Sequence, residues 1–294
     1  MAAATRTSAR RAVEILASLL VLVAFFGIWI AVIEIWDMSA LVLPGPVEVW
    51  DAGREMFSSG FIWVHLWTTL QEILLGFALG TVVGIGLAIL LTQVPAFMRI
   101  ANPYIVASQA APKLALAPLF AVWFGFGMTS KVVITALISF FPLFENALRG
   151  FGTPDPDYDE LFRMIRANRR QRFARLQLRT AMPYLLTGMR VAMILAVVGA
   201  VVGEYVGANQ GLGALVIATQ GSFRTDQMFA VIFLLTLIGV VLYMLIELLE
   251  WAYDRWTYRE LDLPASSAAA TRDGAVPAQT ALPAEVPVAQ EARS

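Results

Sequence analysis

The chain has 294 residues, of which 59% are apolar and only 15% charged, against about 25% charged in an ordinary soluble domain. Mean hydropathy is +0.70 and net charge is −1, which excludes a soluble globular enzyme, a disordered scaffold and a coiled coil, and predicts an all-α polytopic membrane protein. There is no Cys and a single His, His65, so a disulfide framework, a thiolate site and a Cys nucleophile are excluded, and no metal or cofactor is expected.

Crossing the hydrocarbon core takes about 20 mainly apolar residues. Six stretches meet that length in chain order: Ile15–Trp36, Val64–Leu91, Ile100–Trp123, Lys131–Leu148, Tyr184–Val206 and Met228–Trp251. The first is too long for a signal-peptide core and ends in Glu34 and Trp36 rather than a small-residue cleavage site. Pro103, Pro112 and Pro118 interrupt the third and Pro142 lies in the fourth. Carbonyls freed by prolines are tolerated where they are buried in protein or line a cavity. The third span is therefore either a pathway wall or a helix kinked for packing. In the second, Gly76, Gly80 and Gly84 form a small-residue stripe that suits close helix contact within the bundle or in a dimer.

Basic residues orient the chain. Arg6, Arg10 and Arg11 precede span one, Arg99 lies between spans two and three, and Arg255 and Arg259 follow span six. Eight arginines, from Arg149 to Arg179, lie between spans four and five. The opposite loops hold only Arg54, Lys131 and Arg224. The positive-inside rule places both termini in the cytoplasm. The expected organisation is a cytoplasmic tail over 1–14, six spans over 15–256 and a cytoplasmic tail over 257–294. The last tail is Ala/Pro/Ser-rich and expected to be disordered from about Ala265.

Residues 153–182 form the one long cytoplasmic excursion. Pro154, Asp155, Pro156 and Asp157 supply helix-start chemistry. Leu161, Ile165, Phe173 and Leu176 recur at helical spacing, and Asn168 can adopt positive φ cheaply. The expectation is two short helices with a corner between them, ending at Pro183. Such a segment is either an anchor on anionic headgroups or a docking element.

Ionisable groups at membrane depth are costly. Glu72 lies eight residues inside span two, about 12 Å at the helical rise. Lys113 lies thirteen residues from the inner end of span three, about 20 Å. Their depths nearly match, and Gln109 is one turn before Lys113. Glu72 and Lys113 either pair, line the pathway, or face water separately. Glu204 precedes the Gly-rich turn Gly207–Gly213 and is either a gate or a cap of that turn.

Several runs carry a resemblance. They are Leu43-Pro-Gly-Pro-Val; His65-Leu-Trp-Thr-Thr-Leu with Gly76-Phe-Ala-Leu-Gly; Ala117-Pro-Leu-Phe-Ala-Val-Trp-Phe-Gly-Phe-Gly; Phe140-Phe-Pro-Leu-Phe-Glu-Asn; and Gly199-Ala-Val-Val-Gly-Glu-Tyr-Val with Gly211-Leu-Gly. In this order, from Leu43 to about Trp256, the chain resembles the permease subunits of ATP-binding-cassette importers of the nitrate/sulfonate/taurine type. That family carries a cytoplasmic Glu-Ala-Ala, three residues, Gly, and a stretch closing on Leu-Pro. Glu160 takes the Glu position and Met182-Pro183 the closing pair. Leu161 and Phe162 replace the two Ala residues, Arg166 stands in place of Gly, and Arg179 stands where Pro is common. The resemblance implies that Asp159, Glu160, Leu161, Ile165, Arg166, Asn168 and Pro183 couple the membrane helices to an ATPase, with Asn168 supplying the turn.

It also implies two cytoplasmic ATP-binding subunits, an external substrate-binding protein and a second permease copy, a homodimer, in the inner membrane. No Walker A sequence is present, so ATP hydrolysis would belong to a partner chain, and no nucleic-acid partner is expected. Ala107-Ser-Gln-Ala-Ala-Pro-Lys-Leu-Ala, Thr69-Leu-Gln-Glu and Trp123-Phe-Gly-Phe-Gly resemble the branch that carries thiamine-pyrimidine precursors or riboflavin. The implied cargo is such a heteroaromatic compound, or else nitrate, sulfonate or taurine. The competing readings are a membrane scaffold and an intramembrane enzyme. The latter lacks a catalytic carboxylate pair, metal cluster or activated nucleophile in the sequence.

Overall fold

The computed structural model describes residues 2–94, 98, 100, 103–105, 107, 111–152 and 156–259. Gln109, residues 153–155 and the tail beyond residue 259 lie outside these. The chain divides into two units, Met1–Glu250 and Trp251–Ser294. Within the second, the described residues belong to the end of the last helix.

Every described element is helical. In chain order they are α1 (Ala2–Ile35), α2 (Pro46–Ser58), α3 (Ile62–Gln93), a 3-10 turn (Lys113–Leu116) leading into α4 (Ala117–Phe124), α5 (Met128–Gly152), α6 (Pro156–Met164), α7 (Arg169–Arg172), α8 (Leu178–Tyr205), α9 (Leu212–Gly221) and α10 (Thr225–Arg259). A π-helical turn, Phe173–Gln177, joins α7 to α8.

Four helices are long and apolar enough to cross a membrane: Ile62–Gln93, Met128–Gly152, Arg169–Tyr205 and Thr225–Thr257. They carry the expected spans two, four, five and six. The other two expected spans are shorter among the described residues: the apolar part of α1 is Leu19–Ile35, and the described end of span three is Lys113–Phe124. Span three is thus not one described helix over Ile100–Trp123. After Pro112 the chain winds as a tight 3-10 turn, with the Ala115 N–H donating to the Pro112 carbonyl at 2.9 Å. The regular helix resumes only at Ala117, with Pro118 in its first turn, where a missing N–H costs nothing. At the other end of the chain, α1 starts at Ala2, inside the segment expected to be a tail.

Sequence patterning did not single out α2. Pro46 opens it, and the Glu48 carboxylate accepts from the Gly45 N–H at 3.0 Å. Val49, Ala52 and Met56 are buried on one face while Trp50 is exposed, the half-buried pattern of an interfacial helix.

The centre of the bundle is α5, packed between α3 and α8 through glycines. A Cβ at Gly80 would stand 2.7 Å from Ser139 Oγ and 2.8 Å from the Ala136 carbonyl. One at Gly199 would stand 2.9 Å from Thr135 Cα, one at Gly188 2.9 Å from Asn146 Cβ, and one at Gly150 2.9 Å from Ala181 Cα. The Gly76–Gly84 stripe therefore faces α5 inside the bundle. Lipid offers no hydrophobic drive between helices, so close backbone approach and dispersion hold this seam. Ile73, Leu143, Ala196 and Ala200 fill it, with Leu242 and Ile246 of α10 against them.

Candidate functional site

Two regions combine position with chemistry. The first is the excursion between α5 and α8. Helix α6 carries Asp159 and Glu160 and presents Tyr158, Leu161 and Met164 to solvent, and Ile165 just beyond it is also exposed. Positions 158, 161 and 165 share one helical face. Ile165 is 64% exposed and Leu161 45%, an apolar stripe left open by the described residues.

The corner after α6 is made by Arg166, whose φ is +51°. The Ala167 N–H donates to the Phe162 carbonyl at 3.0 Å, the six-to-one bond of a Schellman ending. Asn168 does not make the turn, contrary to expectation. It has extended backbone and caps the next helix: its side-chain oxygen accepts from the Gln171 N–H at 2.8 Å, and Gln171 Oε1 accepts from the Asn168 N–H at 3.0 Å. A left-handed residue falls where the family motif places Gly, because the Schellman geometry requires one there. Arg166 adopts it against its side-chain preference.

The second half of the excursion is also not a separate helix ending at Pro183. From Arg169 it runs through the π turn into α8 as one apolar span, with Pro183 inside α8. Buried Leu176, the Phe151–Phe173 stack at 5.9 Å and a 2.9 Å bond from Gln93 Nε2 to Gln177 Oε1 hold the junction to α5 and α3. A proline lacks only one ladder donor, and this packing keeps the helix continuous. The element carrying Glu160 and Leu161 is thus a four-residue corner, residues 165–168, away from a helical run that extends from Arg169 to Tyr205.

The second region is a buried polar seam at the opposite end of α8. Glu72 of α3 is fully buried and pairs with Lys131 of α5, Nζ to Oε1 2.8 Å. Its partner is therefore Lys131, not Lys113. Depth along two helices does not fix their rotation, and the Gly76 and Gly203 contacts turn Lys131 into the α3–α5–α8 seam. Lys131 also donates to the Gln210 carbonyl at 3.3 Å. Glu204 is buried and accepts from the Thr69 hydroxyl at 2.5 Å and from the Gly213 N–H. Thr69 in turn accepts from the Leu212 N–H at 2.7 Å. Glu204 thereby caps the start of α9. Gly211, at φ +121°, leaves space for its carboxyl, which a Cβ there would overlap. His65 Nδ1 lies 3.0 Å from the Gly211 carbonyl oxygen and 3.2 Å from its nitrogen, within reach as donor to the first or acceptor from the second.

Lys113 holds its ammonium 4.1 Å from the centroid of the Phe141 ring of α5, a cation–π contact. Sequence reasoning missed Lys131, Thr69, His65 and Arg190 as site residues. Arg190 pairs with Glu250 and reaches the Tyr243 hydroxyl at 3.4 Å. The available signal was position: Arg190 stands six residues inside span five, and Lys131, counted as a loop charge, opens span four.

The described architecture is a helical membrane bundle with a long amphipathic excursion between two spans. Residues 80–255 match the family described as binding-protein-dependent transport system inner membrane component. A formylaminopyrimidine transport permease protein, ThiX, of Halalkalibacterium halodurans is 39% identical over 232 residues, 77% of this chain and 92% of the relative. A riboflavin transport system permease protein, RibX, of Chloroflexus aurantiacus is 36% identical over 230 residues, 78% of this chain and 85% of the relative. A crystal structure of an amino acid ABC transporter with histidines shares the fold, with TM-score 0.53 at 19% identity, covering 69% of this chain and 96% of that one. The chain belongs to the binding-protein-dependent inner membrane components, the permease subunits of ABC importers. The family match includes the whole α6 excursion, while Thr69 and Glu72 precede it.

Proposed function

We propose that this permease forms, as a homodimer with two cytoplasmic ATP-binding subunits and an external binding protein, the pathway for a small heteroaromatic solute of the pyrimidine-precursor or riboflavin type. Both termini and α6 face the ATPase side, in keeping with the arginine-rich excursion. The cargo class is supported by the relatives at 39% and 36% identity. Lys113 on Phe141, with Gln109 nearby in sequence, is the proposed cargo-facing pair. Glu72 and Glu204 shape the pathway indirectly, by holding the seam with Lys131.

The observation that carries the coupling role is the exposed apolar stripe Leu161–Ile165 on an element joined, through the corner 165–168, to the continuous helical run Arg169–Tyr205. ATP hydrolysis on another chain must move membrane helices, and a flexible loop would dissipate that motion. Asp159 and Glu160 start the docking helix, Leu161 and Ile165 fill the partner's groove, Arg166 and Asn168 set the corner, and Pro183 lies where the rod enters the membrane. The test is a Glu160→Ala, Leu161→Ala double variant, reconstituted with its ATPase. Hydrolysis without transport is the expected result. Normal uptake by a normally assembled double variant refutes the role. Uptake of labelled formylaminopyrimidine against labelled taurine by the intact importer tests the cargo class.

A further inference from the structure

Outside the seam and the excursion, the chain carries two apolar grooves on either side of Trp29, where α1 meets α10. The larger, about 500 Å³, is lined by Phe26, Trp29, Trp50, Phe57, Phe233 and Leu237, and Arg54 of α2 stands among its lining residues. The smaller, about 270 Å³, is lined by Phe25, Ile28, Trp29, Leu43, Phe229 and Phe233. Trp29 and Phe233 stack at 5.7 Å and form the partition between the two.

Three observations identify the occupant. Arg54 is the one charged side chain lining either groove, and among the described residues it has no ion pair. Glu48, Asp51 and Glu55 share its helix but line neither groove. Trp29 is 8% exposed and its ring is a wall common to both grooves. The larger groove follows α10 from Ala230 to Leu237, about 10 Å along the helix axis, and Phe25, Phe26 and Phe233 remain partly open to the surroundings.

We propose that one glycerophospholipid is held here as a bound ligand, an acyl chain in each groove on either side of the Trp29 ring and its phosphate on Arg54. Two chains match two grooves that share one wall. A cation at the mouth of a hydrocarbon-lined cleft matches a phosphate joined to a tail. The bound lipid would fasten α1 and α2 to α10, where the chain's own polar contacts are few.

The test is native mass spectrometry of the full chain purified from membranes in mild detergent, counting phospholipid retained per chain after a fixed wash. Arg54→Gln removes the cation at an exposed site and leaves the fold alone. It is expected to lower retention by about tenfold, the worth of one charge-assisted hydrogen bond, while Trp67→Phe at an exposed position leaves it unchanged. Retention equal to wild type in Arg54→Gln overturns the proposal. So does displacement of the lipid by free glycerol phosphate as readily as by phosphatidylglycerol, which would make the site a phosphate site without chains. Capture of a second protein chain rather than lipid by a photo-crosslinker at Trp50 also overturns it.

Discussion

Removing the ammonium of Lys131 is the sharpest probe of the buried seam. Lys131→Met leaves the fully buried Glu72 without its cation. Breaking a buried pair by deleting one partner costs about 3–5 kcal/mol, because the remaining charge is uncompensated. Glu72→Gln is different. It keeps an oxygen acceptor beside Lys131 Nζ, which also holds the Gln210 carbonyl, and costs about 1–2 kcal/mol for one weakened hydrogen bond. The Glu72→Gln, Lys131→Met double variant removes one acid with the base, and Glu204 keeps its donors from Thr69 and Gly213. It is expected to be more stable than Lys131→Met alone. In a domain of this size 1 kcal/mol shifts the melting point by about 2–4 °C, so Lys131→Met should melt about 6–20 °C lower. Thermal unfolding of detergent-purified protein, followed by loss of monodisperse elution, reads this. A double variant as unstable as Lys131→Met, or a Glu72→Gln variant equally unstable, refutes the account of the seam.

Other predictions follow from local geometry. Arg166→Gly relieves a left-handed non-glycine backbone and should stabilise the chain by about 1 kcal/mol in the same melting assay. Gly211→Ala places a Cβ on the Glu204 carboxyl at φ +121°; it should cost about 2 kcal/mol or more and raise hydrogen exchange across Leu212–Gly221. Asn168→Ala removes the helix cap and should cost about 1 kcal/mol, with faster amide exchange at Gln171 and a lower ratio of transport to hydrolysis.

How much of this was legible beforehand depends on which physical quantity each feature needs. The membrane class follows from hydropathy, and the helix-forming excursion follows from proline and acid placement before Leu161. The glycine stripe of α3 was visible as a stripe, because four-residue spacing fixes a common face. Its partner was not visible, since a stripe does not say which helix it meets. The places of spans two, four, five and six were readable from apolar runs, but not their lengths: the helices run past those runs, that of span five from Arg169 rather than Tyr184. Span three was not readable, because its prolines decide locally between helix and 3-10 turn.

The site shows the same division more sharply. Sequence alone placed Glu72 inside an apolar span and Glu204 just before a Gly-rich turn, put an amphipathic element between spans four and five, and showed no Walker A sequence. Tertiary structure decided that Lys131 rather than Lys113 meets Glu72, that Arg166 takes the left-handed corner while Asn168 caps, and that Pro183 leaves α8 unbroken. The reason is rotational. Rise along a helix is fixed at about 1.5 Å per residue and can be counted. The angle at which one helix presents its face to the next is set by the contacts at Gly76, Gly199 and Gly203, and these exist only once α3, α5 and α8 are packed.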